Sequence, residues 1–371
     1  QVTTPPPGPW PPPPPGPGQQ PPSWGSQPPW GPPPQRGGNR AKWILGGIAL
    51  VVVIGLTVVA TLLVTRDDSG SGEPTASAPP TTSADTSDIA SADDRGPIGI
   101  ITEDPTCAAW GPIVQKLSEE QDKGWRQVDR SVPASDWTSS QRVIFEKAAT
   151  DMAAAADQAE ALVARTPHRV MRELYSQTIS YWRAYAAAIG GYGPNDDHLA
   201  TAASGFSNSV NWICGAIAYG SALARSQLLP PGMPPQEVAL PELASNPARF
   251  LSEADASACG QWQNMVSDYR LATSEWMQKS DPALPSSQWS PEQQTLFANM
   301  VTVMRENAST MQQIALTTKN SIWIDFAALA ATYRRAYVQA IPTYMPADNY
   351  LDSAATELMV AIDEACQATG A

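Results

Sequence analysis

Apolar residues recur at the spacing of amphipathic helices through the C-terminal part of the chain. Besides the stretch from 145 to 162, this period is present from residue 107 to about 125, from 170 to 192 and from 199 to 214. No segment alternates apolar and polar residues as a half-buried strand does, so the pattern predicts an all-α fold. The clearest helical face consists of Phe145, Ala148, Ala149, Met152, Ala156, Ala159 and Leu162.

The helical part of the chain is an internal duplication. At an offset of 152 residues and without a gap, 26 of the 108 positions from 107 to 214 are identical. A match of this length indicates two copies of one domain. Each copy contains four helical stretches, which predicts two tandem antiparallel four-helix bundles at 104–223 and 256–371. The matching aromatic residues are Trp110, Trp137, Phe145, Tyr181, Tyr185 and Tyr192, which correspond to Trp262, Trp289, Phe297, Tyr333, Tyr337 and Tyr344.

The four cysteines occupy equivalent positions in the two copies, and four cysteines allow three pairings. In an up-down bundle the start of the first helix and the end of the fourth lie at the same end, which favours Cys107–Cys214 and Cys259–Cys366. Such disulfides indicate an oxidising compartment. A metal site is the alternative, but the cysteines lack the close pairs that zinc sites use.

Residues 43–65 form an uncharged apolar stretch that is long enough to cross a bilayer as one helix. Arg36, Arg40 and Lys42 precede it, whereas Arg66 is followed at once by two aspartates. The positive-inside rule then places the N-terminus in the cytoplasm and the C-terminal domains outside. We expect a single-pass protein of the plasma membrane.

Three segments have the composition of coil. Residues 1–42 are a basic tail with 17 prolines between positions 5 and 34, and they should be disordered with polyproline II character. Residues 66–103, rich in Ser, Thr, Ala, Pro and Asp, are predicted to be a flexible stalk. Residues 224–255 are predicted to be a stiff, proline-rich linker between the two domains.

The charge of the chain restricts its partners. Of 23 basic residues, 4 lie before residue 67, so residues 67–371 hold 19 basic and all 36 acidic residues, a net charge of −17. Such an acidic domain disfavours nucleic acid and anionic lipid headgroups. His168 and His198, the two histidines, have no histidine counterparts in the second copy and are expected at the surface. We see no catalytic or metal-ligating set, and we predict a protein without enzymatic activity or cofactor.

One helix per copy keeps an unusual set of residues. Tyr181, Tyr185 and Tyr192 share a face, and Arg183 points to the other side. The simpler interpretation is a tyrosine-rich core with a structural arginine ion pair. The alternative is a groove for an envelope ligand, and the candidate binding residues are then Tyr181, Arg183, Tyr185, Tyr192, Tyr333, Arg335, Tyr337 and Tyr344.

The arrangement of residues 1–103 resembles that of proline-rich, single-pass cell-envelope membrane proteins of mycobacteria and related actinobacteria. It combines a Pro/Gly/Gln/Trp-rich basic tail, one apolar span and a Ser/Thr/Pro/Asp stalk. The resemblance implies a location rather than an activity, and residues 104–371 match no family known to us.

Besides an enzyme that uses carboxylates alone, which is the least favoured, two functions remain open from the sequence. The first is a non-enzymatic envelope protein that binds or scaffolds through its outer helical domains. The second is an extracytoplasmic ligand sensor, whose proline-rich tail would need a cytoplasmic protein partner because it carries no kinase or DNA-binding domain.

Overall fold

The computed structural model describes residues 88–230, 235–241 and 246–370. These residues form helices, turns and loops, with no strand among them. In repeat 1 (104–223) the four long helices are α1 Cys107–Gln121, α2 Ser139–Arg165, α3 Arg169–Ala188 and α4 Asp197–Ala218. The short α5 Ser221–Ser226 follows. In repeat 2 (256–371) they are α6 Ala256–Lys279, α7 Pro291–Leu316, α8 Ser321–Ala340 and α9 Asn349–Ala368.

Each repeat is a four-helix bundle whose consecutive helices pack side by side and whose first helix also contacts the fourth. A disulfide closes each bundle. Cys107 pairs with Cys214 and Cys259 pairs with Cys366, with a Cα–Cα distance of 5.4 Å in both. The predicted bundles and disulfides are therefore confirmed.

Local sequence determines where several helices begin and end. The Thr138 side chain caps α2 and forms a reciprocal capping box with Gln141. The Ser290 hydroxyl caps α7 by accepting from the Gln293 N–H. The first helix ends at Gln121 rather than near Trp125 as predicted. Gly124 adopts a φ of +133°, which lies outside helical geometry and breaks the helix before the tryptophan.

The two repeats share one hydrophobic core, because α4 of repeat 1 packs along α9 of repeat 2. The two backbones approach closely at Gly205, where an added Cβ would come within 2.9 Å of the Ala361 Cα atom. The two predicted bundles therefore pack on each other through a continuous core. The matching sequence patterns predicted the bundles correctly. They did not predict that the faces of α4 and α9 between the bundles are buried as deeply as the bundle interiors.

The contact between α4 and α9 is approximately symmetric, because two residue pairs across it are related by interchanging the repeats. His198 contacts Glu364, with an Nδ1–Oε2 distance of 2.7 Å, and Trp212 packs against Tyr350 with ring centroids 5.4 Å apart. At the offset of 152, residue 198 corresponds to 350 and residue 364 to 212. The second contact is thus the first one with the repeats interchanged, which is the relation that an approximate two-fold axis produces.

Part of the predicted stalk is packed structure. Ile89 and Ile101 are buried, and the Ala90 N–H donates to the Ala164 carbonyl of α2 over 2.9 Å. The Ile101 N–H donates to the Tyr333 hydroxyl of α8 over 3.3 Å. The prediction of a flexible stalk through residue 103 is corrected for 88–103, since Ile89 and Ile101 are buried and Ile98 and Ile100 pack partly buried against the core.

The predicted linker 224–255 also takes part in the fold. Arg225 forms an ion pair with Asp348 of repeat 2, with an Nη2–Oδ2 distance of 2.7 Å. The Phe250 N–H donates to the Gln177 side chain over 3.0 Å, and the Phe250 ring packs on Phe326. These contacts fasten both ends of the segment to the bundles, so it does more than separate them.

The predicted tail 1–42 and the predicted membrane helix 43–65 lie outside the described residues. Within the part of the chain that the structure does describe, no helix is both long and apolar enough to cross a membrane.

Candidate functional site

The repeated tyrosines are in the core. Tyr181, Tyr185 and Tyr192 of repeat 1 are at most 1% exposed. Their counterparts Tyr333, Tyr337 and Tyr344 are fully buried. None of these rings borders an open groove, so the structure places the candidate residues where the simpler interpretation put them.

The last tyrosine of each set explains why several residues match between the repeats. The Tyr192 hydroxyl donates to the Arg130 carbonyl over 2.7 Å, and the Tyr344 hydroxyl donates to the Pro282 carbonyl over the same distance. Trp137 stacks on Phe145 beside Tyr192, with ring centroids 4.1 Å apart, and repeat 2 has the same aromatic trio. These side chains hold the loop between the first two helices against the third.

The two matching arginines differ in their partners. Arg183 reaches Asp157 and Glu160 on α2, each over 2.6 Å, whereas Arg335 donates to the Gln312 amide oxygen over 2.6 Å. Ion pairs of this half-exposed kind contribute little to stability. Both arginines tie the second helix of a bundle to its third, which is a structural role.

A buried charged cluster lies where α3 and α8 meet. The Arg169 guanidinium is fully buried and binds Asp325 through two hydrogen bonds, Nε–Oδ2 at 2.6 Å and Nη2–Oδ1 at 3.2 Å. It also donates to the carbonyls of Asp94, at 2.7 Å, and Gly96, at 3.2 Å. One side chain thus joins repeat 1, repeat 2 and the segment before α1.

Glu173 lies next to this ion pair and is the repeat-1 counterpart of Asp325. Burial, together with the nearby Asp325 charge, raises the pKa of Glu173 well above its usual value. Burial also raises the pKa of Asp325, while the Arg169 guanidinium opposes that shift. Neither carboxyl oxygen of Glu173 has a hydrogen-bond partner among the described residues, and the Arg172 guanidinium lies 3.9 Å from its Oε1 atom.

Sequence reasoning missed this cluster. Neither arginine nor carboxylate is unusual for a helix start, and the offset of 152 places Ser321 opposite Arg169 in the alignment. The available signal was the acidic residue kept at positions 173 and 325, which becomes informative only when the two repeats are known to face each other.

Glu357 is a second buried carboxyl on the contact between α4 and α9. It is 8% exposed, and Asn208 of repeat 1 donates to it over 3.3 Å. Burial raises its pKa to about 7. When a buried acid has a higher pKa in the folded protein than in the unfolded chain, the protein loses stability as the pH rises from the unfolded-state pKa to the folded-state pKa.

We expect Glu357→Gln to remove a pH dependence of unfolding. Relative to the parent, the variant should gain stability progressively between about pH 4.5 and pH 7, reaching about 2–3 kcal/mol above that window. Chemical unfolding of both chains at several pH values measures the difference. In the control Asn208→Ala, the window should extend to higher pH, because the donor that favours the ionised form is gone. A constant difference at every pH would contradict the assignment.

We expected both histidines at the surface. The structure shows that each is half-buried and makes a contact. His168 contacts the Glu103 carbonyl through Nε2 at 2.8 Å, and His198 contacts Glu364. Within the described residues, no group of three or more His, Cys, Asp or Glu side chains is arranged to hold a metal ion.

A groove of about 570 Å³, open to solvent along one side, runs between α6 and α7 of repeat 2. Its floor includes the buried residues Met265, Tyr269, Asn307 and Ile314, and its rim carries Asp268 and Glu306. The sequence predicted none of these as binding residues, because none of them is identical to its counterpart in repeat 1.

A family described as mycobacterial ESX-1 associated protein matches residues 89–370. The chain belongs to this family. An uncharacterized protein of Mycolicibacterium smegmatis (strain MKD8) is 42% identical over 337 residues, which make up 91% of this chain and 88% of that protein. No solved structure matches the chain.

Family membership supports the mycobacterial part of the predicted resemblance. The family match covers the helical repeats together with residues 89–103, which are the parts that the structure describes. The alignment with the M. smegmatis protein leaves about 34 of 371 residues of this chain uncovered, so it also includes the apolar stretch 43–65.

Proposed function

We propose that this protein is a non-enzymatic binding or scaffolding component of the mycobacterial cell envelope that associates with ESX-1. Its helical body is anchored to the plasma membrane by residues 43–65 and lies on the extracytoplasmic side. The family description supports the association with ESX-1. The apolar stretch and the basic residues before it support the anchor and its orientation.

The observation that carries the scaffolding role is the burial of two carboxyl groups between the repeats. A catalytic carboxyl must reach its substrate. The carboxyls of Glu173 and Asp325 are instead enclosed at the junction of the repeats, 4% and 1% exposed, where Arg169 and the preceding segment surround them. These groups lock two bundles into one body, which suits a part that presents a fixed surface.

The proposal is tested in cells that lack the chain and receive either the full chain or a variant with 43–65 replaced by a Gly/Ser stretch of equal length. We expect the full chain in the membrane fraction, and cross-linking should recover ESX-1 proteins with it. The variant should leave the membrane fraction. An unchanged fractionation would exclude the anchor, and a full chain that recovers no ESX-1 protein would exclude the association.

The same cells report orientation. The four native cysteines are disulfide-bonded, so an introduced thiol is the reactive one. A membrane-impermeant reagent should label Ser71→Cys and not Gly25→Cys in intact cells, and the reverse pattern would contradict the proposed side.

A further inference from the structure

The groove between α6 and α7 has the spacing of a coiled-coil seam. On α7 the lining residues fall at intervals of four and three, and on α6 they do the same. Alternating steps of four and three keep residues in line along a helix that packs on another helix. The residues in these two rows are Val303, Asn307, Thr310, Ile314 and Thr317 on α7, and Gln261, Met265, Asp268 and Ala272 on α6.

Asn307 lies in the floor of the groove and is 5% exposed. Its amide nitrogen faces the sulfur atoms of Met265 at 2.9 Å and Met359 at 3.5 Å, which are weak acceptors. Its amide oxygen has no hydrogen-bond partner among the described residues. A buried amide oxygen without a hydrogen-bond partner lowers the stability of the free protein. Asn307 in the groove therefore points to a binding partner that supplies the missing hydrogen bond.

Repeat 1 shows that the fold does not need an amide at this point. Ala155 occupies the equivalent position, and Ile113 and Leu117 stand where repeat 2 has Met265 and Tyr269. The rim differs as well, since Lys116 and Ala154 correspond to Asp268 and Glu306. The polar floor and the acidic rim therefore belong to repeat 2 alone.

We propose that the groove binds an amphipathic helix of a partner protein. The helix has apolar residues at steps of three and four, one amide side chain that faces Asn307, and basic residues that face Asp268 and Glu306. A single polar residue in an apolar seam fixes the register of paired helices. This inference rests on the proposed binding role and names the class of partner.

The size and charge of the groove support this occupant. The lining runs from Gln261 to Ala272 and from Val303 to Thr317, roughly 17 and 21 Å at 1.5 Å per residue, which matches a helix of about 14 residues. The lining residues include Asp268 and Glu306 but no lysine or arginine. A second copy of the chain is disfavoured, because the −17 charge of residues 67–371 repels itself.

The test uses the full chain and synthetic helical peptides of 21 residues. The first peptide has leucine at the seam positions, one central asparagine and lysine at the flanking positions. The second replaces lysine with glutamate, and the third replaces the asparagine with leucine. Fluorescence anisotropy measures binding. We expect the first peptide to bind at least about tenfold more tightly than either of the others.

Variants of the chain locate the binding. Asp268→Asn combined with Glu306→Gln should remove the preference for lysine, whereas Lys116→Gln at the equivalent rim of repeat 1 should not. Asn307→Ala, which installs the residue of repeat 1, should weaken the first peptide about tenfold and remove its advantage over the third. The melting temperature of the free chain should stay the same or rise.

Three outcomes would overturn the inference. They are equal binding of the lysine and glutamate peptides, no binding of the first peptide, and a lower melting temperature of Asn307→Ala, which would make the amide a structural element. None of these outcomes bears on membrane anchoring or on recovery with ESX-1 proteins. Failure of the groove and failure of the proposed function are therefore distinguished.

Discussion

The Asp325→Ala variant should lose about 3–5 kcal/mol of unfolding free energy, which is the usual effect of removing one partner from a buried ion pair. Arg169 is fully buried and donates two hydrogen bonds to the Asp325 carboxylate. Without that carboxylate the Arg169 charge stays enclosed, and its neighbours are the carbonyls and the partly exposed carboxylate of the preceding segment together with the buried Glu173 carboxyl. Because a whole domain is stable by only about 5–15 kcal/mol, the variant should unfold at a much lower denaturant concentration.

The matched control is Glu173→Gln, at the equivalent position of repeat 1. Burial and the nearby Asp325 charge raise the pKa of Glu173, so a neutral amide there should change the unfolding free energy at neutral pH by less than about 1 kcal/mol, or increase it. Urea unfolding of both variants provides the comparison. Similar losses for the two variants would contradict the different roles of the two carboxyls in the cluster.

Truncation of the central tyrosine of either repeat should have an effect of the same size. We expect Tyr185→Ala and Tyr337→Ala each to lower the unfolding free energy by about 3–5 kcal/mol, as truncation of other buried large aromatic residues does. Both rings are fully buried, and each packs edge-on against the tyrosine seven positions further along. Thermal or urea unfolding of the full chain measures the loss.

Tyrosine-to-phenylalanine variants at the same two positions should have different effects on stability in the two repeats. The Trp125 indole N–H donates to the Tyr185 hydroxyl over 2.9 Å, so Tyr185→Phe should cost about 1 kcal/mol or more. The Tyr337 hydroxyl has no hydrogen-bond partner among the described residues, so Tyr337→Phe should be neutral or stabilising. If Tyr185→Ala unfolds like the parent, the core role of these rings is wrong and the tyrosines return as candidate ligand contacts.

Sequence alone predicted the features that both copies must satisfy. Helical periodicity, the internal duplication and the equivalent cysteines led to two closed bundles. The aromatic matches, such as Trp137 with Trp289, marked the side chains that fasten the first loop in each bundle. These features are local or repeated, so one chain compared with itself displays them.

The features that sequence did not predict depend on how the copies face each other. Gly205 and Ala361 allow a close helix contact, but small residues are common in helices and gave no signal. Ile101 looked like part of a stalk because its neighbours are polar, while its partner Tyr333 is distant in sequence. The groove residue Asn307 differs from its counterpart, so a search for matches could not find it.

Exchange of equivalent residues across the contact between α4 and α9 is the signature of an isologous interface, the kind that closes a homodimer. The present chain therefore has the architecture of a dimer whose two subunits have become one polypeptide. Joining the subunits removes the concentration dependence of their assembly. It also frees the two sides of the former symmetric contact to diverge, as the His198–Glu364 pair and its aromatic counterpart have done. A homodimer must place any new groove on both subunits, whereas this fused one carries its polar groove on a single half.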